Sequence, residues 1–433
     1  MYRAQRYQDA SLHPPTHHPP QPKSGDGHSS PSPPWVLLED RAYIADHRNH
    51  RTAYSRTRDN DKLQATFFFA DPPLVSYFCM SLTDSKPTEF AREPRIIATE
   101  ANLVLISSVL GSPSNVRDRE MHDFYIYQAD GASDGGPSLN LLPHPTAGVF
   151  PSDTPYYFHN RQAGLLRYRT KPRAGGLSLQ RHGACHYDAY IIASLCTHET
   201  ILGSYLLCIY DSKDETWSSH IASLAKRPRG HVPECPGRCE RVITIQEETG
   251  TLGWVDLWRG ITVCDVLPLP LPPKEKKAVK KKSKKKSMLL RYIPLPPSIL
   301  ENNKRNGSST MHRDIAVVHG RIKYIEVQMQ NWRLDSEVRG RDISFDNHTV
   351  GLDLLPKLLD DKGIPQPTLE RIHIGHPTLS LLEDHIAYFM TKVDHLQGSE
   401  AWVIAVDMKN KLFDNISAGS DATLPTEPDV SLP

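Results

Sequence analysis

The sequence predicts an all-β (mainly β) protein of many short antiparallel strands, β-propeller-like in layout, with few short helices. Three observations predict it. Val, Ile, Leu, Phe and Tyr come in short runs bounded by Pro, Gly, Asn or Asp, which is the composition of strands set between turns. Pro is 36 of 433 residues. A residue that lacks an N–H and clashes with the preceding turn keeps helices short. Finally, a motif of buried strand, Asp, polar turn and return strand recurs along the chain, as in the blades of propellers. A β-sandwich pair is the alternative that the same composition allows.

The elements follow in order from Trp35. PWVLLEDRAYIAD holds two short apolar runs, and TFFFADPPLVSYFCM, PRIIATEANLVLISSV and DFYIYQAD follow it. AYIIASLC, SYLLCIYD, RVITIQ, LGWVDLW, ITVCDVL, LLRYIPLP, DIAVVHG, RIKYIEVQ, HIAYFMTKV and AWVIAVDM continue the pattern. The Asp-turn motif is legible in Tyr205–Trp217, in Ile261–Pro294 and in Trp402–Phe413. In each, an Asp at the strand end can bond the backbone two residues on and so start the turn. GLDLLPKLLDDKG, residues 351–363, is the one helix candidate, and Pro356 breaks it.

Residues 1–34 hold eight Pro, four His and no Ile or Val, and are expected to form a disordered tail. A β-rich body is expected over 35–413, with a disordered tail over 414–433. Within the body, residues 272–287 read as a lysine-rich loop insertion. Lys274, Lys276, Lys277, Lys280, Lys281, Lys282, Lys284, Lys285 and Lys286, with Glu275, give this run +8. The whole chain is only +1, so the rest carries −7. Such a run serves as a solvated loop, a nuclear-import signal or a phosphate contact. Sequence-specific reading of bases is not expected, because Lys is a point charge and no aromatics interleave to stack on bases.

Near-neutrality argues against a protein that coats nucleic acid along its length. Seven Cys do not make a disulfide framework. The first residues lack the apolar stretch of a signal peptide, and no run of 18 apolar residues occurs. A cytoplasmic or nuclear location, not a secreted one, is the expectation.

Residue patterns that carry chemistry are few. His231, Cys235 and Cys239 are metal-ligand types close together, but the second pair that a structural zinc site needs is missing. His312-Arg313-Asp314 opens like a kinase catalytic loop, yet the required Asn five residues past the Asp is His319. Cys185 and His186 are adjacent and would point to opposite faces of a strand. No cofactor, metal or catalytic residue is therefore expected. The densest aromatic segment is GTLGWVDLWRGITVCDVL, residues 250–267. On a strand, Trp254, Asp256 and Trp258 would share a face. Such a face serves as an aromatic ligand surface or, as expected here because Trp mostly supplies buried area, as core packing by both Trp, with Asp256 and Arg259 tying the turn.

This segment, followed by LLRYIPLP and RDIAVVHGRIKYIEV, resembles the plant family called domain of unknown function 1618, which is expanded in grasses. PWVLLEDRAYIAD, ADPPLVSYFC and HPTLSLLEDHIAYFMTKVD…AWVIAVDMKNK resemble it too, so the likeness runs over roughly 35–413. It marks Trp254, Asp256, Trp258, Arg259, Gly260 and Asp265 as motif residues of structural use. The family has no established activity, so it implies no catalytic residue. GITVCDVL…LRYIPLP also looks like blades of F-box-associated propellers, though no F-box-like helical segment precedes Trp35. The lysine run and the Cys235–Cys239 loop depart from the family pattern. The expected function is a non-enzymatic protein-interaction module with a protein partner and no membrane. The alternatives are a nuclear regulatory protein using the basic loop, and a hydrolase-like enzyme with a funnel site.

Overall fold

The computed structural model describes residues 35–83, 90–118, 121–130, 135–144, 162–169, 189–198, 203–225, 239–267, 288–296, 308–327, 336–341, 345–350, 373–392, 401–409 and 412–419. The leader 1–34, the helix candidate 351–363, the lysine run, Cys185, His186, His231 and Cys235 lie outside them. Among the described residues there is no α-helix, only short 3-10 turns such as Pro113–Arg117 and Ser309–Met311. No helix among them is long and apolar enough to cross a membrane.

The expected all-β class is what the chain adopts. The body is divided, however. Residues 1–95 and 296–433 form one compact unit and 96–295 a second.

The first unit opens with β1 (Leu37–Leu38), β2 (Tyr43–Ile44), β3 (Thr52–Arg56), β4 (Lys62–Phe68) and β5 (Val75–Leu82). β3, β4 and β5 form an antiparallel meander, and β1 and β2 both run parallel to β5 on its other edge. One face of this sheet is apolar: Ala53, Leu63, Ala65, Phe78, Met80 and Leu82 are buried. The opposite face, in alternation with the first, carries the polar Thr52, Gln64, Thr66 and Ser81 together with Cys79 and the stacked Phe68 and Tyr77.

Among the described residues, the second unit is a run of twelve strands. β6 (Arg95–Glu100), β7 (Leu103–Val109), β8 (His122–Gln128) and β9 (Ser138–Leu141) make one blade-like meander. β10 (Ala163–Tyr168), β11 (Ala189–Thr197), β12 (Ser204–Asp211) and β13 (Thr216–Leu224) make a second. β14 (Arg241–Gln246), β15 (Thr251–Asp256), β16 (Gly260–Asp265) and β17 (Met288–Pro294) make a third. The last two do not stand apart as blades. Their final strands pair in parallel, Ala222–Leu224 against Met288–Leu290, giving one eight-stranded sheet.

That sheet is nearly closed and barrel-like. Leu166, Ile191, Leu195, Leu207, Leu252, Trp254, Cys264 and Leu290, drawn from all around it, form one buried cluster. Its two end strands meet at Gly164, where a Cβ would stand 2.5 Å from Val242 Cγ1. Gly164→Val is expected to force β10 and β14 apart and cost about 1–3 kcal/mol by overpacking. Urea denaturation checks this, and an unchanged midpoint would show that the closure is loose. The outer face of β10–β12 is covered in turn by the first meander, through Leu103, Leu105, Phe124 and Ile126 against Leu165, Ile192 and Tyr210.

Near the closure, Thr244 Oγ1 lies 3.0 Å from Glu100 Oε2 and 3.4 Å from Leu165 O. Burial pushes the Glu100 carboxyl up to about 7, with the Thr244 hydroxyl acting against it. A folded value above the unfolded one favours folding at low pH. That contribution fades as pH climbs from about 4.5 through 7. Glu100→Gln should therefore level the decline and raise stability at pH 8 by up to about 3 kcal/mol over wild type. Denaturation of both proteins at pH 5 and pH 8 tests it. Parallel pH curves would mean that Glu100 is not the titrating group.

The first unit resumes with β18 (Arg313–Val318) and β19 (Arg321–Glu326), joined through His319 (φ +49°) and Gly320 (φ +74°). Two positive φ values in a two-residue loop match the right-handed twist of a hairpin. β20 (Ser336–Arg341) and β21 (Phe345–Val350) form another hairpin. β22 (His373–Leu379), β23 (Ile386–Lys392), β24 (Ala401–Asp407) and β25 (Leu412–Gly419) close the chain as a four-stranded meander. One face of this meander (Leu379, Ala387, Phe389, Ile404, Val406) packs with Ala316, Val318 and Ile325 of the β18–β19 hairpin. The other (Ile386, Tyr388, Val403, Ala405) packs with Trp35 and Leu37. β25 continues to Gly419, six residues past the expected end of the body at 413, because β24 offers it a full row of partners.

Candidate functional site

The motif residues sit on the β15–β16 hairpin and its surroundings. Trp254 is buried in the barrel core, and its Nε1 donates to Gln162 O at 2.8 Å. β15 ends at Asp256, so Trp258 does not share a strand face with Trp254. It lies half-buried in the three-residue turn Leu257–Arg259. Asp256 ties that turn: its Oδ1 accepts from Trp258 N at 2.9 Å and its backbone O from Arg259 N at 3.0 Å. Arg259 Nη1 stands 3.9 Å from Asp256 Oδ2. Glu240, which the sequence did not single out, accepts from Leu257 N at 3.0 Å. Gly260 is required by space, since a Cβ there would be 2.5 Å from Ile293 O and 2.6 Å from the Tyr292 hydroxyl. Asp265 accepts from Thr251 Oγ1 at 2.7 Å and from Arg291 Nη2 at 3.0 Å.

The Asp-turn motif is thus a real device. Asp211, Asp256 and Asp407 each accept from the backbone N–H two residues on, at 3.0, 2.9 and 2.9 Å. Asp265, which ends the strand before the lysine-bearing connection, instead ties neighbouring strands.

The other candidates resolve as follows. Arg313 and Glu326 face each other across β18 and β19 and form a buried ion pair, Nη2 to Oε1 2.6 Å. Tyr324 Oη donates to Glu326 Oε2 at 3.2 Å, and Asp314 Oδ2 accepts from Leu379 N at 2.9 Å. The kinase-like triplet is therefore spent on the fold. Burial holds the His312 imidazole below its ordinary value, with the Arg313 charge beside it acting the same way. Cys239 is a buried thiol whose Sγ donates to Arg241 O at 3.2 Å, and burial raises its pKa. Burial likewise pushes Cys79 and Cys264 up to about 12. These thiols are poor nucleophiles at neutral pH. Among the described residues, no three His, Cys, Asp or Glu side chains are grouped to hold a metal.

What the sequence missed is a surface. β17 alternates. Met288 and Leu290 turn into the core, while Leu289, Arg291 and Ile293 turn out. Leu289 is 61% exposed and Ile293 43%, and Ile221 on β13, diagonal to Leu289 across the parallel pair, is 44% exposed. The signal available was LLRYIPLP itself, whose period-2 pattern gives it two apolar faces where a half-buried strand shows one. The nine lysines of 274–286 end two residues before this strand begins.

The fold and these elements define an all-β protein of up-and-down meanders whose motif residues serve a hairpin. Within that class, residues 254–388 match the family model described as protein of unknown function (DUF1618). This is the family expected from the WVDLWRG segment, over a shorter span than the expected 35–413. No curated protein matches the chain.

Proposed function

We propose that the protein is a non-enzymatic interaction module whose outward β13–β17 face docks an acidic protein segment bearing apolar side chains. The observation that carries the reading is the stripe of Ile221, Leu289 and Ile293, open to solvent around Arg291. The run that precedes β17 in sequence supplies the partner's sign: it is +8 in a chain whose remainder is −7. Apolar anchors would give affinity, and the lysines would speed encounter in a salt-dependent way.

The test is affinity purification with mass spectrometry on three forms of the full chain. These are wild type, the triple variant Ile221→Ser/Leu289→Ser/Ile293→Ser, and a deletion of residues 274–286. A partner kept by wild type, lost by the triple variant and captured more weakly by the deletion supports the reading. An identical set of captured proteins in all three removes the face from consideration. The same deletion in a fluorescent fusion tests the second reading, import through the lysine run. An unchanged distribution between nucleus and cytoplasm sinks it.

A further inference from the structure

The polar face of the β1–β5 sheet carries groups whose hydrogen bonds go nowhere. Gln64 is 0% exposed, and its Nε2 donates to Asp46 Oδ1, yet its Oε1 is buried with no partner. Ser81 lies directly opposite Gln64 across β4 and β5, and its Oγ is also buried without a partner. The ladder continues past β5 through Thr83 N donating to Lys62 O at 2.8 Å, so Thr83 faces the same side. Thr83 Oγ1 and, further along the same strand, the Tyr77 hydroxyl share this condition. No other sheet face collects as many such atoms among the described residues.

The segment joining β2 to β3 crosses over this face. Asn49 Nδ2 donates to Phe67 O at 3.0 Å, and Thr52 Oγ1 pairs with Thr66 Oγ1 at 3.0 Å. Asp46 is held by Arg48, Nε to Oδ1 2.8 Å, and that bond keeps the Asp46 carboxyl below its usual range. The Asp46 charge is thus matched by Arg48, and the unbonded atoms belong to neutral groups.

Magnitude decides what this means. A buried polar group left unbonded disfavours folding by about 5- to 150-fold. Four of them together reach about 600-fold at the least, close to the scale of a whole folding equilibrium. No described residue meets them. An amide oxygen needs a donor, whereas a hydroxyl both gives and takes. We infer that the polar face between Gln64, Ser81 and Thr83 is an internal binding site for a small, neutral, hydroxyl-bearing molecule, either water or a short polyol.

The double variant Ser81→Ala/Thr83→Val removes two hydroxyls at nearly constant volume. With a bound guest, it loses partners, and the folding equilibrium should fall by about 10-fold or more. If the site is dry, removing two unbonded hydroxyls leaves stability equal or higher, and that result overturns the inference. Water-to-protein nuclear Overhauser effects at the Thr83 methyl and the Gln64 amide of the wild-type chain give a second reading that does not need the variant to fold. Persistent cross-peaks support a bound hydroxylic guest, and their absence, with glycerol also failing to shift these signals, counts against it. Saturable shifts of the same signals with added glycerol identify a polyol as the occupant, and cross-peaks without such shifts identify water.

Discussion

Arg313→Met is expected to destabilise the first unit by about 3–5 kcal/mol. Arg313 and Glu326 are both almost fully buried, and Glu326 takes two bonds from the guanidinium, at 2.6 and 3.1 Å. Removing the cation alone leaves a carboxylate in the core, whose charge the bond from the neutral Tyr324 hydroxyl does not balance. The double variant Arg313→Met/Glu326→Leu should recover most of the loss, since replacing a buried pair by apolar residues is often neutral. A double-mutant cycle by denaturation reads the difference directly. If the single variants cost as little as the double, the pair is wetter than its burial implies.

Trp254→Ala should cost a similar amount, about 3–5 kcal/mol, in the second unit. Trp254 is the largest fully buried side chain among the described residues, and it fills the centre of the barrel-like sheet. Trp254→Phe separates the two parts of the effect. It keeps most of the ring and loses the bond to Gln162 O, so about 1–3 kcal/mol is expected. Fluorescence-detected unfolding would be confounded by the lost indole, so far-ultraviolet circular dichroism should follow the transition. A Phe variant as damaging as the Ala variant would mean that the hydrogen bond, not the volume, carries the site.

These two residues show what the sequence made legible. Trp254 was readable as core because a Trp between Gly253 and Val255 in an apolar run has few other uses. The buried pair was not readable. Arg313 and Glu326 lie 13 residues apart, and only the hairpin register puts them face to face. Strands rich in Val, Ile and Tyr, such as β12 and β16, were found from composition. β13 (TWSSHIASL) was visible only as the strand returning from the Asp211 turn. β22 (HIGHPTL) was missed because Pro377 argues against a strand. It is tolerated because it falls in a register shift between Gly375 and Thr378. The polar face of Gln64 and Ser81 was hidden for a different reason. Alternation on β4 and β5 suggests a solvated side, and only the crossing segment makes that side interior. The exposed stripe on β17 was not legible either, because reading LLRYIPLP as a strand does not say which face each apolar residue takes.

The parallel joint between β13 and β17 sets the order in which the second unit can assemble. Within β12–β13 and β15–β16 the partners are close neighbours in the chain, so loop closure is fast and cheap. The joint registers only Ala222–Leu224 with Met288–Leu290, residues more than sixty positions apart. Contacts of that separation are slow to find and reward little until both meanders exist. The joint is therefore a late event in folding and the first seam to part. Substitutions along it should quicken unfolding while leaving the refolding rate nearly unchanged.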